Sequence, residues 1–453
     1  MLKRLCVGLV LAAWPVLAGV PVVMISIDGL RPDSVTQADE HKLSIPALRR
    51  FIAGGTYADG VTGVLPTVTY PSHTTLVTGV EPARHGILAN TAFDPDLHNM
   101  LGWYWYAEDV RVPTLWDAVS ASGLAAASIN WPVTVGRKTI RYNIPEYWRA
   151  EPNEDRKLLR ALSTPGLLGD VEKVTGPFPV GSQAEAQDDA ARALAAAWML
   201  ETYRLRFFTI HLNALDETEH AHGPFSAEAN ATLERLDAAV DRIVKAAQSA
   251  DPATVVVVVS DHGFLRVDRH FNILIPFLDA KLIELEPVGD GLGGLPKVKR
   301  WDATVWPVGG AAAVVLARPS DSALAGRVRS LLAKLAADPA NGIARILEKG
   351  EIAKRGGFPD ASFLVEMRPG REIGLNTKGP LVTDAPATGT HGYLAERPEM
   401  RASLFILGAG IAAHHDLGVV DMRQIAPMVA ALLGVTLPPA GLPALDVRLA
   451  SVP

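Results

Sequence analysis

The sequence predicts an α/β fold built on a central, mainly parallel sheet, and three observations carry that reading. Apolar runs at residues 21–27, 207–212, 254–259 and 403–407 are rich in Val, Ile and Phe and lack polar alternation, as strands covered on both faces do. Helical patterns lie between them. Acidic and histidine residues stand just after these runs, where open α/β sheets place their sites.

In chain order, Lys3 and Arg4 precede an apolar run over residues 5–17, with small residues at Ala18 and Gly19. That layout predicts a secretory signal peptide over 1–18, with the mature chain starting near Gly19 in a periplasm. The run is too short to span a bilayer comfortably, so no membrane span is expected after cleavage. Cys6 is the only cysteine and lies too early for a lipoprotein site. A mature chain without cysteine has no disulfide and no thiolate ligand, so any metal site must use Asp, Glu, His and hydroxyls.

The run at 21–27 leads into Asp28. A hydroxyl-rich stretch at 65–79 contains Thr69, Ser72 and Thr74 and reads as the start of a helix. There the positive end of the dipole would assist a nucleophile. Residues 186–204 are Ala-rich with few breakers. In 226–248, Leu233, Leu236, Val240, Ile243 and Val244 recur at helical spacing. Residues 269–386 differ in character, with Gly/Pro breaks at 289–296, a short strand at 312–317 and a helix at 322–337. They read as a subdomain inserted in a catalytic domain covering 19–453.

The 453 residues are 48% hydrophobic and 20% charged, which is globular, and the formal net charge is -6 with no Lys/Arg-rich block. Charge-driven binding to nucleic acid is therefore not expected. A small anionic substrate still is, because a metal site supplies positive charge locally. Asp28, the pair Asp216 and His220, the pair Asp261 and His262, and His391 follow the strand-like runs or lie in glycine-rich loops beside them. Any one alone reads as a helix cap or a structural histidine. Together they suit zinc, which accepts imidazole nitrogen and carboxylate oxygen.

Several segments make the pattern specific: Ile27-Asp28-Gly29, Thr69-Tyr70-Pro71-Ser72-His73, the stretch from Gly79 to Ile87, Asn90, Trp131-Pro132, Asp216 to His220 with His222-Gly223-Pro224, Ser260-Asp261-His262-Gly263, and Thr390-His391-Gly392-Tyr393. In this order the chain resembles the nucleotide pyrophosphatase/phosphodiesterase family of the alkaline phosphatase superfamily from about residue 22 to 435. The resemblance implies an alkaline phosphatase-like three-layer sandwich. It implies two Zn2+ or other divalent ions, one on Asp216, His220 and His391, the other on Asp28, Asp261 and His262 beside the Thr69 oxygen. Thr69 would attack phosphorus, Asn90 would hold a phosphate oxygen, and Tyr70 would stack on a substrate base. His73, His85 and His222 are expected to support the ligands or the fold. Two positions depart from the family's motif: Ser72 stands where Asn is frequent, and Tyr70 where Phe is usual. Neither is a metal ligand; both bear on nucleotide preference.

The expected chemistry is hydrolysis of phosphodiester or pyrophosphate bonds in small substrates through a phospho-threonine intermediate. A phosphomonoesterase is the alternative, needing extra cations that Lys138 and Arg141 would supply. A sulfatase needs a convertible cysteine or serine that this motif lacks, and a degenerate binding protein would have lost ligands that are present here.

Overall fold

The computed structural model describes residues 19–96, 102–149, 152–181, 185–286, 297–438 and 441–448; the leader expected at 1–18 and the breaks at 289–296 lie outside them. The framework elements are β1 (Val22–Ile27), β2 (Thr56–Tyr57), α1 (Thr69–Thr78), β3 (Ala126–Ile129), β4 (Tyr142–Ile144), α2 (Ala186–Thr202), β5 (Phe207–Leu212), α3 (Ala214–His222), α4 (Ala227–Ala250), β6 (Val255–Val259), β7 (Leu265–Asn272), β8 (Val382–Thr390), β9 (Leu404–Leu407), β10 (His415–Asp416) and α5 (Ile425–Leu433).

Among the described residues one sheet runs in the order β10-β2-β9-β6-β1-β5-β3-β4. β1 pairs in parallel with β5 and β6, with Val22 opposite both Phe207 and Val255. Every residue of β1, β5 and β6 is buried, which accounts for their largely apolar character. Successive side chains still point to opposite faces. Val23, Ile25 and Ile27 pack with Leu236 and Val240 of α4 and Met199 of α2. Val22 and Met24 face Leu76 of α1 and Met428 and Val429 of α5. Helix, sheet, helix is the resulting layering, an alkaline phosphatase-like fold.

The run at 403–407 forms β9, but it pairs antiparallel to β6. His391 lies at the carboxyl ends of the central strands, and the link from it to Leu404 holds only the short turn Pro398–Met400 and no crossover helix, so the strand starts opposite Val259 at that same end and runs back.

Between Leu265 and Thr390 the chain leaves the main sheet. β7 and β8 pair antiparallel from Leu265 opposite Thr390, and Gly370–Gly374 joins β7 in parallel. Farther out, Ala303–Pro307, Ala311–Leu316, Ala361–Met367 and Ile343–Glu348 form an antiparallel sheet. The helix Ser322–Ala337, capped by Asp321 accepting from the Leu324 N–H, packs Leu324, Val328 and Leu332 against Val314, Phe363 and Val365.

Candidate metal centre and nucleophile

The carboxyl ends of β1, β5 and β6 converge on one spot. Asp28 follows β1, and its N–H donates to the Leu212 carbonyl at 2.9 Å, which continues the ladder one residue beyond the strand. Gly29 then turns with φ +74, where an added Cβ would lie 2.9 Å from the Phe264 ring. Its N–H donates to Asp261 Oδ1 at 3.1 Å, so the turn after one strand positions the acid after another.

Asp216 and His220 lie four residues apart on α3 and therefore share a face. Asp261 and His262 follow β6, with Ser260 Oγ donating to the Leu30 carbonyl at 2.7 Å. His391 follows β8. Gly392 beside it has φ +80, and a Cβ there would meet the Val308 carbonyl at 1.5 Å, so only glycine fits.

Two groups of ligand atoms result, Asp216, His220 and His391, and Asp28, Asp261 and His262, each within 4.8 Å of one another. Within the first, His220 Nε2 lies 3.6 Å from Asp216 Oδ2 and His391 Nε2 lies 3.8 Å from Asp216 Oδ1. Within the second, His262 Nε2 lies 3.4 Å from Asp28 Oδ1 and 3.1 Å from Asp261 Oδ2. Ligands about 2.0–2.1 Å from a tetrahedral cation stand about 3.3 Å apart, so these spacings suit one.

The tautomers agree. Nδ1 of His220, His391 and His262 faces the carbonyls of Gly389, Thr67 and Gly263 at 3.0, 3.1 and 3.3 Å. Each ring therefore carries its proton on Nδ1 and offers Nε2. The His262 and His391 rings stack at 3.7 Å, which ties the two groups together. Asp28 Oδ1, Asp216 Oδ1 and Asp261 Oδ2 are buried without a hydrogen-bond partner, a costly state unless a cation completes it. Electrostatics point the same way. Burial and the neighbouring Asp216 and Asp261 charges push the Asp28 carboxyl well above its usual range. Asp216 is pushed up to about 6, chiefly by burial. Burial, then neighbouring imidazoles, drive His262 and His391 well below theirs. The residues fit a pair of divalent ions.

Thr69 opens α1, with Val68 as an extended N-cap and no side-chain cap. Its Oγ1 lies 3.5 Å from His262 Nε2, beside the second group. Asn90 Oδ1 accepts from the Tyr70 N–H at 2.9 Å, so the amide is oriented by the first turn of the same helix. Tyr70 is fully buried: Trp103 and Trp105 pack on it at 5.1 and 6.0 Å. The place implied for a stacking aromatic is thus filled by the protein's own rings. His73 Nδ1 sits 2.9 Å from the Thr69 carbonyl, His85 Nε2 sits 3.1 Å from Thr75 Oγ1, and His222 is exposed at the end of α3. Lys138 and Arg141 are exposed, and the Arg141 N–H donates to the Ala126 carbonyl at the start of β3, the sheet end opposite Asp28. A cavity of about 830 Å3 also lies at that amino-terminal end, lined by Val20, Arg206 and Thr254, away from the ligands.

One histidine near the centre escaped the sequence reading. His211, inside β5, places Nε2 2.9 Å from Asp28 Oδ2. The available signal was an ionisable side chain within a fully buried strand whose other residues cannot carry charge.

Comparison with known proteins places the chain in a family. The family model for type I phosphodiesterase/nucleotide pyrophosphatase matches residues 22–393. Ectonucleotide pyrophosphatase/phosphodiesterase family member 1 of Rattus norvegicus is 26% identical over 249 residues, covering 54% of this chain and 24% of the relative. A venom phosphodiesterase of Crotalus durissus collilineatus is 24% identical over 251 residues, covering 54% and 26%. The matched stretch thus spans about a quarter of the length of these relatives. Murine ectonucleotide pyrophosphatase/phosphodiesterase 5, as an inactive variant in complex with AMP, superposes with a TM-score of 0.64 at 20% identity, covering 92% of this chain and 96% of that one. At such identity the likeness speaks to the fold. The family match reaches from the first central strand to the last candidate ligand, and the chain belongs to the type I phosphodiesterase/nucleotide pyrophosphatase family.

Proposed function

We propose that the protein hydrolyses phosphodiester or pyrophosphate bonds in small, nucleotide-like substrates, with Thr69 as nucleophile. The observation that carries this is the position of Thr69 Oγ1 at a helix N-terminus, 3.5 Å from His262 Nε2 and so beside a group in which Asp28 Oδ1 and Asp261 Oδ2 have no hydrogen-bond partner. When bound, two divalent ions, zinc by the chemistry of the donors, would supply positive charge for the attacking and leaving oxygens and lower the hydroxyl pKa.

The chain's own residues do the rest. Thr69 Oγ1 loses its proton to solvent and forms a bond to phosphorus as the bond to the leaving oxygen breaks. The α1 N-terminus favours the charge gathered there. Asn90, oriented through Oδ1 by the Tyr70 N–H, turns its amide donor away from the helix, where it would bind a non-bridging oxygen. Water then attacks phospho-Thr69, releasing a phosphomonoester and regenerating the hydroxyl.

The monoesterase alternative loses support, because Arg141, one of the two cations it needs, lies at the sheet end opposite Asp28. Among the described residues no helix is long and apolar enough to cross a membrane. The charged start and apolar run of the leader support export, with the mature chain in a periplasm.

Thr69→Ala tests the reading with bis(p-nitrophenyl) phosphate. It removes the attacking oxygen and leaves all six Asp and His ligands, so metal content should persist while kcat/KM falls by several orders of magnitude. Thr69→Ser should retain a substantial fraction. A metal-loaded Ala variant with near-normal turnover would rule Thr69 out.

A further inference from the structure

We propose that His211 is a positioning residue that holds one oxygen of Asp28 so that the other is presented to a cation; the inference rests on the two-cation reading above.

The two oxygens of Asp28 are chemically equal but have unequal surroundings. Oδ2 is 2.9 Å from His211 Nε2. Oδ1 has no hydrogen-bond partner and points toward His262 Nε2 at 3.4 Å, into the Asp28, Asp261 and His262 group. A free carboxylate could rotate to chelate one cation with both oxygens or to bridge two. With Oδ2 held, only Oδ1 is available.

His211 is itself fixed from behind. It is 1% exposed on β5. Its Nδ1 lies 3.2 Å from the Asn130 carbonyl and 3.7 Å from Glu146 Oε2. Asn130 sits at the end of β3 with φ +54, a left-handed conformation that costs energy for a residue with a Cβ. It returns a second contact, its Nδ2 donating to the His211 carbonyl at 3.3 Å. Glu146 is 6% exposed, and its Oε2 has no hydrogen-bond partner, which leaves His211 as a close polar neighbour for its charge. Both ring nitrogens of His211 face oxygens alone, and a carboxylate that ligates a cation has no proton to give, so toward such an Asp28 the ring is the donor. Glu146 and Asn130 orient His211, and His211 orients Asp28. Removing an outer partner of this kind typically costs 10- to 100-fold in metal affinity.

The test uses the metal-loaded protein and two variants of similar volume. His211→Gln keeps an amide donor near the Nε2 position. His211→Phe keeps a ring in the same space, where the His73 ring packs at 4.4 Å, but has no donor. Zinc retention is measured against chelators of graded strength, with circular dichroism and the unfolding midpoint as folding controls. The Phe variant should release one of two equivalents to a chelator roughly 10- to 100-fold weaker than wild type requires, and hold the other unchanged. The Gln variant should stay close to wild type. A folded Phe variant that holds both equivalents as wild type does, or that weakens both alike, overturns the proposal. If only Gln folds, loss of one equivalent from it overturns the proposal, and retention of both upholds it. Wild type binding fewer than two equivalents would instead defeat the two-cation reading itself.

Discussion

At the scale of single residues, the centre works by restricting choices. Each candidate histidine ligand has one nitrogen committed to a carbonyl, and Asn90 has its oxygen committed to α1. Asn90→Ala should therefore remove one prepositioned donor without disturbing the metal groups. The expected cost is about 2–4 kcal/mol of transition-state stabilisation, roughly 30- to 900-fold in kcat with metal content unchanged. Steady-state kinetics beside elemental analysis would check it; a kcat within twofold of wild type would remove Asn90 from the reaction. Residue identity at this scale was readable from the sequence, because the Asp and His side chains follow strands or lie in recognisable short motifs. The condition of Tyr70 was not readable. Its burial depends on Trp103 and Trp105, which the chain brings over α1 by a hairpin-like return, Thr91 opposite Trp103, that no local pattern announces.

At the scale of elements, α3 matters most, since it carries Asp216 and His220 on one short helix. Its start is held from outside: the Ala214 N–H donates to Asp189 Oδ2 at 2.9 Å, and Asp189 on α2 pairs through Oδ1 with Arg192 at 2.6 Å. Both partners are buried, and Arg192 also donates to Asn213 Oδ1 at 2.7 Å. Asp189→Ala would leave an uncompensated buried guanidinium and an unsatisfied helix N–H, at a cost of about 3–5 kcal/mol. Urea unfolding should show it as a lower midpoint at unchanged slope; a loss below about 1 kcal/mol would mean that α3 is braced elsewhere. The central strands and α4 were legible as elements because burial on both faces, or on one helical stripe, writes itself into composition. The direction of β9 was not, because an apolar run buried on both faces reads alike whichever way it points. His211 shows the same limit. Its polarity within β5 was visible, but its partner Asp28 lies on a different strand, and the parallel register that sets them side by side is tertiary.

For the whole molecule, the gathered carboxylates make the metal-free protein sensitive to pH. Asp216 is raised to about 6 from an ordinary 3.8. Between those values the folded, metal-free state binds more protons than the unfolded one, so stability falls as pH rises through that window. Below it the group is neutral in both states and the penalty vanishes; above about 6 the penalty is complete, about 3 kcal/mol at 1.36 kcal/mol per pH unit. Chelator-treated protein should thus lose more stability between pH 4 and 7 than chelator-treated Asp216→Asn, and zinc should abolish the difference. Parallel denaturation curves for the two metal-free proteins would refute the assignment.

The pairing of β7 with β8 has a mechanical side as well. The ladder begins at Leu265 opposite Thr390, and just outside that first rung stand His262, from one metal group, and His391, from the other. The long excursion between them is therefore a noose drawn tight at its neck, with the neck adjoining the candidate metal centre. Whatever happens to the body of the noose, whether lengthened, shortened or exchanged for another chain, the gap between the two stacked rings is set by a strand pair that stays shut. A lineage could rebuild everything beyond the knot and keep its spacing. Conversely, a pull on the noose that slid one strand past the other by a single pair would move one histidine by about 3.4 Å along its strand relative to its neighbour and break the register of the two groups at once.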